Sequence, residues 1–231
     1  NVYSVWERDP RVYARVNVEG TRHVMEAALA AGVPRVVHVS SCVVFGHPPV
    51  EPFTEASAPG PERFSEYART KHAGDLVARE LHGQRGLPLV TVMPGAVVGP
   101  GDTKATGDYV RALVERRMPA RVMEGRTLTF VHVRDVAEAI ARVVARDDLA
   151  GEGFLVGSER LTFGQVNRLV AEIAGVPPPA LAMPDGLATA GAAVLTALSG
   201  LTGQPPPWGM SADQIRTMRH GFVFDGTKAQ R

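Results

Sequence analysis

Apolar residues recur at helical spacing between Asp9 and Gly32, through Val16, Val24, Ala27, Ala28 and Ala31. Asp9 is the N-cap and Pro10 the first helical residue, and Gly32 is the stop. The period then changes. Arg35-Val-Val-His-Val-Ser40 is nearly continuous in apolar residues, as a parallel strand buried on both faces reads. A Pro- and Gly-rich loop over 46–61 precedes a helix capped by Ser65, which runs through Tyr67, Lys71, Leu76 and Leu81 to Gly86. Pro88-Leu-Val-Thr-Val-Met93 is a second buried strand.

Glycines 95, 99, 101 and 107 with Pro100 predict an irregular loop over 94–107. A helix at 108–117 follows, then short strands at Arg121–Met123 and Leu128–Val131. Asp135 is expected to cap a helix to Arg146, and Gly153–Gly157 to form a further strand. Thr162-x-x-Gln165 and Ser211-x-x-Gln214 are capping-box patterns for helices that end near Gly175 and Gly221. Helices alternating with buried strands predict an α/β fold on a doubly wound parallel sheet. On this reading 1–105 belongs to the main sheet, and the family resemblance given below makes it the C-terminal part of a dinucleotide-binding domain. Residues 106–231 form mainly a smaller, mixed substrate lobe, with 135–157 returning to the main sheet.

Composition removes several function classes. A net charge of +1 leaves no electrostatic footprint for nucleic acid or acidic membranes. The single cysteine, Cys42, excludes an internal disulfide and fits a reducing, cytoplasmic compartment. No His, Cys, Asp and Glu stand at metal-ligand spacing, so no metal is expected. The stretch 186–203 is almost free of charge, but Gly, Ala, Ser and Thr dominate it; a packed or partner-facing helix is expected there, with membrane contact the lesser alternative.

Tyr67 and Lys71 are four apart and share one helix face. A phenol near its ordinary pKa of ~10 is a poor acid–base catalyst at neutral pH, and a neighbouring ammonium favours the phenolate. Ser40 and Ser41 end a buried strand, where open α/β sheets bind ligands. Tyr-x-x-x-Lys arises by chance in about one such chain in twenty, so its weight comes from this context.

Further segments stand in a fixed order: Asn17-Val-Glu-Gly-Thr21, Val39-Ser-Ser-Cys-Val-Val-Phe-Gly46, Tyr67-Ala-Arg-Thr-Lys71, Met93-Pro-Gly-Ala-Val-Val-Gly-Pro-Gly-Asp102 and Phe130-Val-His-Val-Arg-Asp-Val-Ala137. Together they resemble the extended short-chain dehydrogenase/reductases, the NAD-dependent epimerase/dehydratase family; within it, the Tyr3-Ser-Val-Trp6 start and the Gly- and Leu-rich segment after Pro184 look most like dihydroflavonol-reductase-like proteins and hopanoid-associated sugar epimerases. The resemblance implies Ser41, Tyr67, Lys71 and Asn17 as the catalytic set. It implies cofactor contacts from Ser40, Tyr67, Lys71, Pro94, Gly95 and Val97, and NAD or NADP as the cofactor. Substrate contacts are expected from Ser41, Cys42 and His132; Cys42 reads otherwise as a buried small hydrophobe and His132 as a structural hydrogen-bonder. The implied reaction is ketone/alcohol interconversion on a small molecule. Sugar-nucleotide epimerisation with Arg121, Arg126 or Arg134 on phosphate is the alternative, and a non-catalytic binding module the second. A homodimer through the helices carrying Asn17 and Tyr67 is implied as well.

Two features depart from that pattern. Cys42-Val43 stands where the family's dehydratases carry an Asp-Glu pair, which argues against dehydration. The glycine-rich turn Gly-x-x-Gly-x-x-Gly is not present, and the family places it before Asn1. The expectation is a chain truncated at both ends, with an uncovered sheet edge where the first strands belong.

Overall fold

A computed structural model describes all 231 residues, apart from the side chain of Ala105. The first helix has three parts: α1 (Arg11–Ala14), a π turn (Arg15–Glu19) and α2 (Gly20–Ala30). Pro10 stands at its N-cap and Arg11 is the first helical residue, one place later than expected, with the Asp9 carboxylate accepting from the Arg11 N–H at 3.1 Å. Strand β1 (Val36–Val39) leads through a 3-10 turn (Cys42–Phe45) and a loop to α3 (Glu66–Arg85). The Ser65 hydroxyl accepts from the Ala68 N–H at 3.1 Å to open α3, and left-handed Gly86 closes it.

Strand β2 (Leu89–Pro94) is buried at every position and lies between β1 and β5 (Gly153–Val156), both parallel to it. A second sheet joins β3 (Ala96–Val98), β4 (Thr127–His132) and β6 (Glu159–Thr162) in the order β3-β4-β6. Helices α4 (Ala105–Val114), α5 (Val133–Val144), α6 (Phe163–Ala174), α7 (Asp185–Thr202), α8 (Ala212–His220) and α9 (Thr227–Gln230) complete the chain.

The first sheet is covered on two faces. Met25, Val77, Ala78 and Leu81 of α2 and α3 pack with Leu87 and Leu89. Val136 and Val143 of α5 pack with Val90, Val92 and Val156. Alternate residues of β2 therefore feed different cores, which is why its sequence has no polar face. Strand β1 has one neighbour and forms the edge of the sheet, and Val39 at its end is 42% exposed.

Several expectations shift. The loop over 94–107 contains β3, because Ala96-Val-Val98 pairs in parallel with Phe130–His132. Gly95 permits that approach: a Cβ there would run into the Thr129 carbonyl. Helix α4 starts at Ala105 rather than 108. Arg121–Met123 makes only one isolated bridge, Arg121 to Ala182, and Met123 turns left-handed at φ 53°. Helix α5 is capped by His132, whose Nδ1 accepts from the Arg134 N–H at 3.2 Å, and not by Asp135. Strand β4 runs straight into α5, leaving no loop in which Asp135 could serve as cap. Strand β6 carries no clear sequence signal. The box at Thr162 and Gln165 is complete in both directions.

Candidate active site

The C-terminal ends of β1 and β2 open into a cleft of about 500 Å³. Ser40, Ser41, Tyr67, Pro94, Gly95 and Val97 all line it. Ser41 is placed by the turn after β1, where its hydroxyl accepts from the Val43 N–H at 3.4 Å. Tyr67 is placed by the first turn of α3, which the Ser65 cap fixes. Burial pushes the Tyr67 phenol above its ordinary range, and the Tyr3 phenol adds to the rise; contacts with Asn1 and Ser41 oppose it. The Tyr3 ring lies 5.0 Å from the Tyr67 ring, tilted by 57°.

Lys71 sits one turn further along α3, behind the cleft wall. It is 5% exposed, and its Nζ donates to the Val39 carbonyl at 3.0 Å. Burial lowers its pKa, with Asp75 acting in the opposite sense. The expected lowering of the phenol by the ammonium is therefore not what this arrangement gives. The ammonium is turned to a backbone oxygen, and desolvation governs Tyr67.

Asn17 is buried in the π turn facing α3. Its side chain exchanges two hydrogen bonds with the backbone of Val2, at 2.7 and 3.1 Å, and donates to Thr70 Oγ1 at 3.1 Å. It thus ties the N-terminal segment to α3 rather than contacting Lys71 directly. Cys42 does not line the cleft; it packs into a core with Phe45, Phe53, Met93 and Leu155, and burial pushes its thiol far up. His132, at the α5 cap, does not line the cleft. Core packing holds Cys42 and helix capping holds His132, so neither of these two expected substrate contacts is on the cleft lining.

Sequence patterns missed Tyr3 on the cleft wall and the buried polar group behind it. His38, Ser40 and Asp75 are buried beside Lys71. Asp75 continues the four-residue spacing of Tyr67 and Lys71, a signal that was visible. A second cavity of about 880 Å³ shares Tyr3, Tyr109, Gln214 and Met218 with the cleft, and Met118, Val122, Met183, Ala188, Ala192 and Leu195 line it further in. Among the described residues no group of three or more His, Cys, Asp or Glu could hold a metal ion. No helix among them is long and apolar enough to cross a membrane.

Comparison with known proteins fits this arrangement. The NAD dependent epimerase/dehydratase family matches residues 2–157. Sterol demethylase protein B of Methylococcus capsulatus is 35% identical over 189 residues, covering 80% of this chain and 56% of that protein. A ceramide reductase of Caulobacter vibrioides is 30% identical over 207 residues, covering 86% and 56%. The chain thus spans about half the length of these curated relatives. The crystal structure of gox2253 superposes with a TM-score of 0.79 at 32% identity, over 99% of this chain and 69% of that one. DesIV, a dTDP-glucose 4,6-dehydratase from Streptomyces venezuelae solved with NAD, gives 0.64 at 29% identity, over 73% and 52%. With the motif order, the parallel sheet and the cleft at its strand ends, this match over two thirds of the residues shows that the chain belongs to the NAD dependent epimerase/dehydratase family.

Proposed function

We propose that this chain supplies the proton-transfer side of an NAD(P)-dependent oxidoreductase that interconverts a ketone and an alcohol on a largely apolar substrate. The observation that carries the reading is that Tyr67 and Ser41 share one cleft with Pro94, Gly95 and Val97, with Lys71 buried one helical turn behind. When bound, the nicotinamide accepts or delivers the hydride. The residues present fit its ribose end. Ser40 and Ser41 offer hydroxyls, Lys71 has only a backbone carbonyl to give up, and Pro94–Val97 form an apolar wall. The chain spans about half the length of its curated relatives and holds no glycine turn for a pyrophosphate, so the reading is made for a protein of the relatives' full length, called the parent below.

Tyr67 exchanges the proton with the substrate oxygen, and Ser41 donates to that oxygen and fixes its direction. Lys71 would hold the ribose hydroxyls of a bound nicotinamide cofactor, and its ammonium would favour the phenolate form of Tyr67. Asn17 anchors the face of α3 that presents both. Met118, Val122, Met183, Ala188, Ala192 and Leu195 in the second cavity support a substrate with an apolar body, and Lys104, Arg111 and Arg117 line the same cavity. The arginines expected on a sugar nucleotide's phosphates are engaged elsewhere, Arg121 with Glu124 at 3.0 Å and Arg126 with Asp185 at 3.5 Å. Arg121, Arg126 and Arg134 do not line either cavity.

The test is Tyr67→Phe in the parent protein with NAD(P)H and an apolar ketone. The expected result is a fall in kcat of about 10²–10⁴-fold with cofactor binding retained. Undiminished turnover would refute the assignment.

A further inference from the structure

Helix α3 carries an uncommon series at four-residue spacing: Tyr67, Lys71, Asp75 and Arg79. The first lines the cleft and the last is on the surface; the two between are buried. Asp75 is 3% exposed. Its Oδ1 lies 3.1 Å from His38 Nε2 on β1, and its Oδ2 lies 3.6 Å from the Arg79 guanidinium. His38 Nε2, Ser40 Oγ and Asp75 Oδ1 are all buried without a well-formed hydrogen bond. Three such atoms in one cluster call for a reason, because each costs about 1–3 kcal/mol.

Burial alone would raise the Asp75 carboxyl, but His38, Ser40 and Arg79 together hold it below the usual carboxylate range. Asp75 is thus a carboxylate at neutral pH, inside the protein, one turn from a buried ammonium. Asp75 is the carboxylate one helical turn from Lys71, close enough to act on its charge but not in an ion pair within 4.0 Å; the Lys71 Nζ itself donates to the Val39 carbonyl, with His38 on the same strand. An isolated ammonium in such a place loses its proton readily.

We propose that Asp75 is a positioning residue: the fixed counter-charge that keeps Lys71 protonated inside the protein, held in place by His38. Through Lys71 it sets the acidity of Tyr67, a consequence that rests on the catalytic reading above. The counter-charge role does not, and it is testable in this chain alone.

The sequence has three lysines, Lys71, Lys104 and Lys228, so selective [¹³C]lysine labelling gives three Cε resonances to titrate. Asp75→Asn is expected to lower the Lys71 midpoint by about one pH unit or more and to leave Lys104 and Lys228 unmoved. Asp75→Glu keeps the wild-type midpoint. An unchanged or raised Lys71 midpoint in Asp75→Asn overturns the proposal. If Asp75→Asn does not fold, the double variant Lys71→Met/Asp75→Asn decides. Recovery of the fold supports a charge pair, and failure of both alike overturns it.

In the parent enzyme, the acid limb of the alcohol-oxidation pH profile moves to higher pH in Asp75→Asn, because a weaker Lys71 cation leaves the Tyr67 phenol harder to ionise. A carboxylate acting directly on Tyr67 would move that limb to lower pH when removed, and a purely structural one would not move it; either result overturns the coupling. If the lysine midpoint falls while the parent shows no oxidoreductase activity, the counter-charge stands and the catalytic reading fails.

Discussion

Helices α3 and α7 invert the usual relation between hydrophobicity and burial. Helix α3 is polar in sequence, yet it buries Thr70, Lys71 and Asp75 along with Val77, Ala78 and Leu81. Helix α7 carries one charged residue in 18, yet it buries only Ala188, Ala192 and Ser199, and exposes Leu187, Val194, Leu198 and Leu201. Position decides. α3 is clamped between the π turn and the first sheet, so its polar residues go inside whether or not that is cheap. α7 approaches the lobe through its small residues, Ala188 and Ala192, against Val122, Met123, Ile215 and Met218. Its larger side chains are left on the far side. Ionisable groups inside the first helix have to be matched to partners, which is the mark of a site.

The same substitution on the two helices gives the sharpest contrast. Leu81 of α3 is buried among Met25, Val77 and Leu87. Leu81→Ala is expected to cost about 2–5 kcal/mol in denaturant unfolding, since the clamped helix has little freedom to close the cavity. A loss under 1 kcal/mol would mean that α3 is not clamped.

Gly74 is the point of closest approach. A Cβ there would run into the Asn17 carbonyl, to which the Thr21 hydroxyl already donates at 2.8 Å. Gly74→Ala gains helix propensity but forces α3 off the π turn, and the net expected loss is about 1–3 kcal/mol. Stabilisation by this substitution would show that the two elements yield readily.

Much of this was legible in the residues, and the part that was not has a common cause. Ser65 and Gly86 bound α3 by local hydrogen bonding, so its ends could be read directly. The parallel pairing of β1 with β2 follows from two apolar runs separated by a helix. Ser41 and Tyr67 share the cleft because strand ends and helix starts meet on the same side of such a sheet. Strand β3, the His132 cap and the placement of Cys42 were not legible, because each depends on a partner distant in sequence: β4 for β3, an uninterrupted strand-to-helix junction for His132, and Phe224 and Leu155 for the core around Cys42. The orientation of Lys71 toward Val39 is equally a tertiary fact.

Alkaline titration tests the clamped side in another way. All four tyrosines have raised pKa values, chiefly through burial, with Tyr13 and Tyr109 at about 12. A phenol whose folded pKa exceeds its unfolded value of about 10 holds its proton more tightly in the fold. Stability is therefore full below about pH 10 and drains as the pH climbs through the folded value. Absorbance of tyrosinate at ~295 nm should show little ionisation near pH 10 and a steep rise that coincides with loss of helical circular dichroism. Smooth ionisation of four phenols near 10 in a still-folded chain would mean that Tyr67 and its neighbours are open to water.

The smallest effect belongs to α7. Leu201 is 85% exposed, and no core around it loses contacts when it is shortened. Leu201→Ala removes no cavity-lining atoms and puts the strongest helix former into the last turn before the Gly203 cap. The expected change in unfolding free energy is within about 0.5 kcal/mol of zero, the range of an ordinary surface substitution. Set against Leu81→Ala, this predicts a difference of at least about 1.5 kcal/mol for one chemical change at two leucines of the same molecule. A cost at Leu201 comparable with that at Leu81, measured at protein concentrations a hundredfold apart, would break the contrast and identify the outer face of α7 as packed against something in solution.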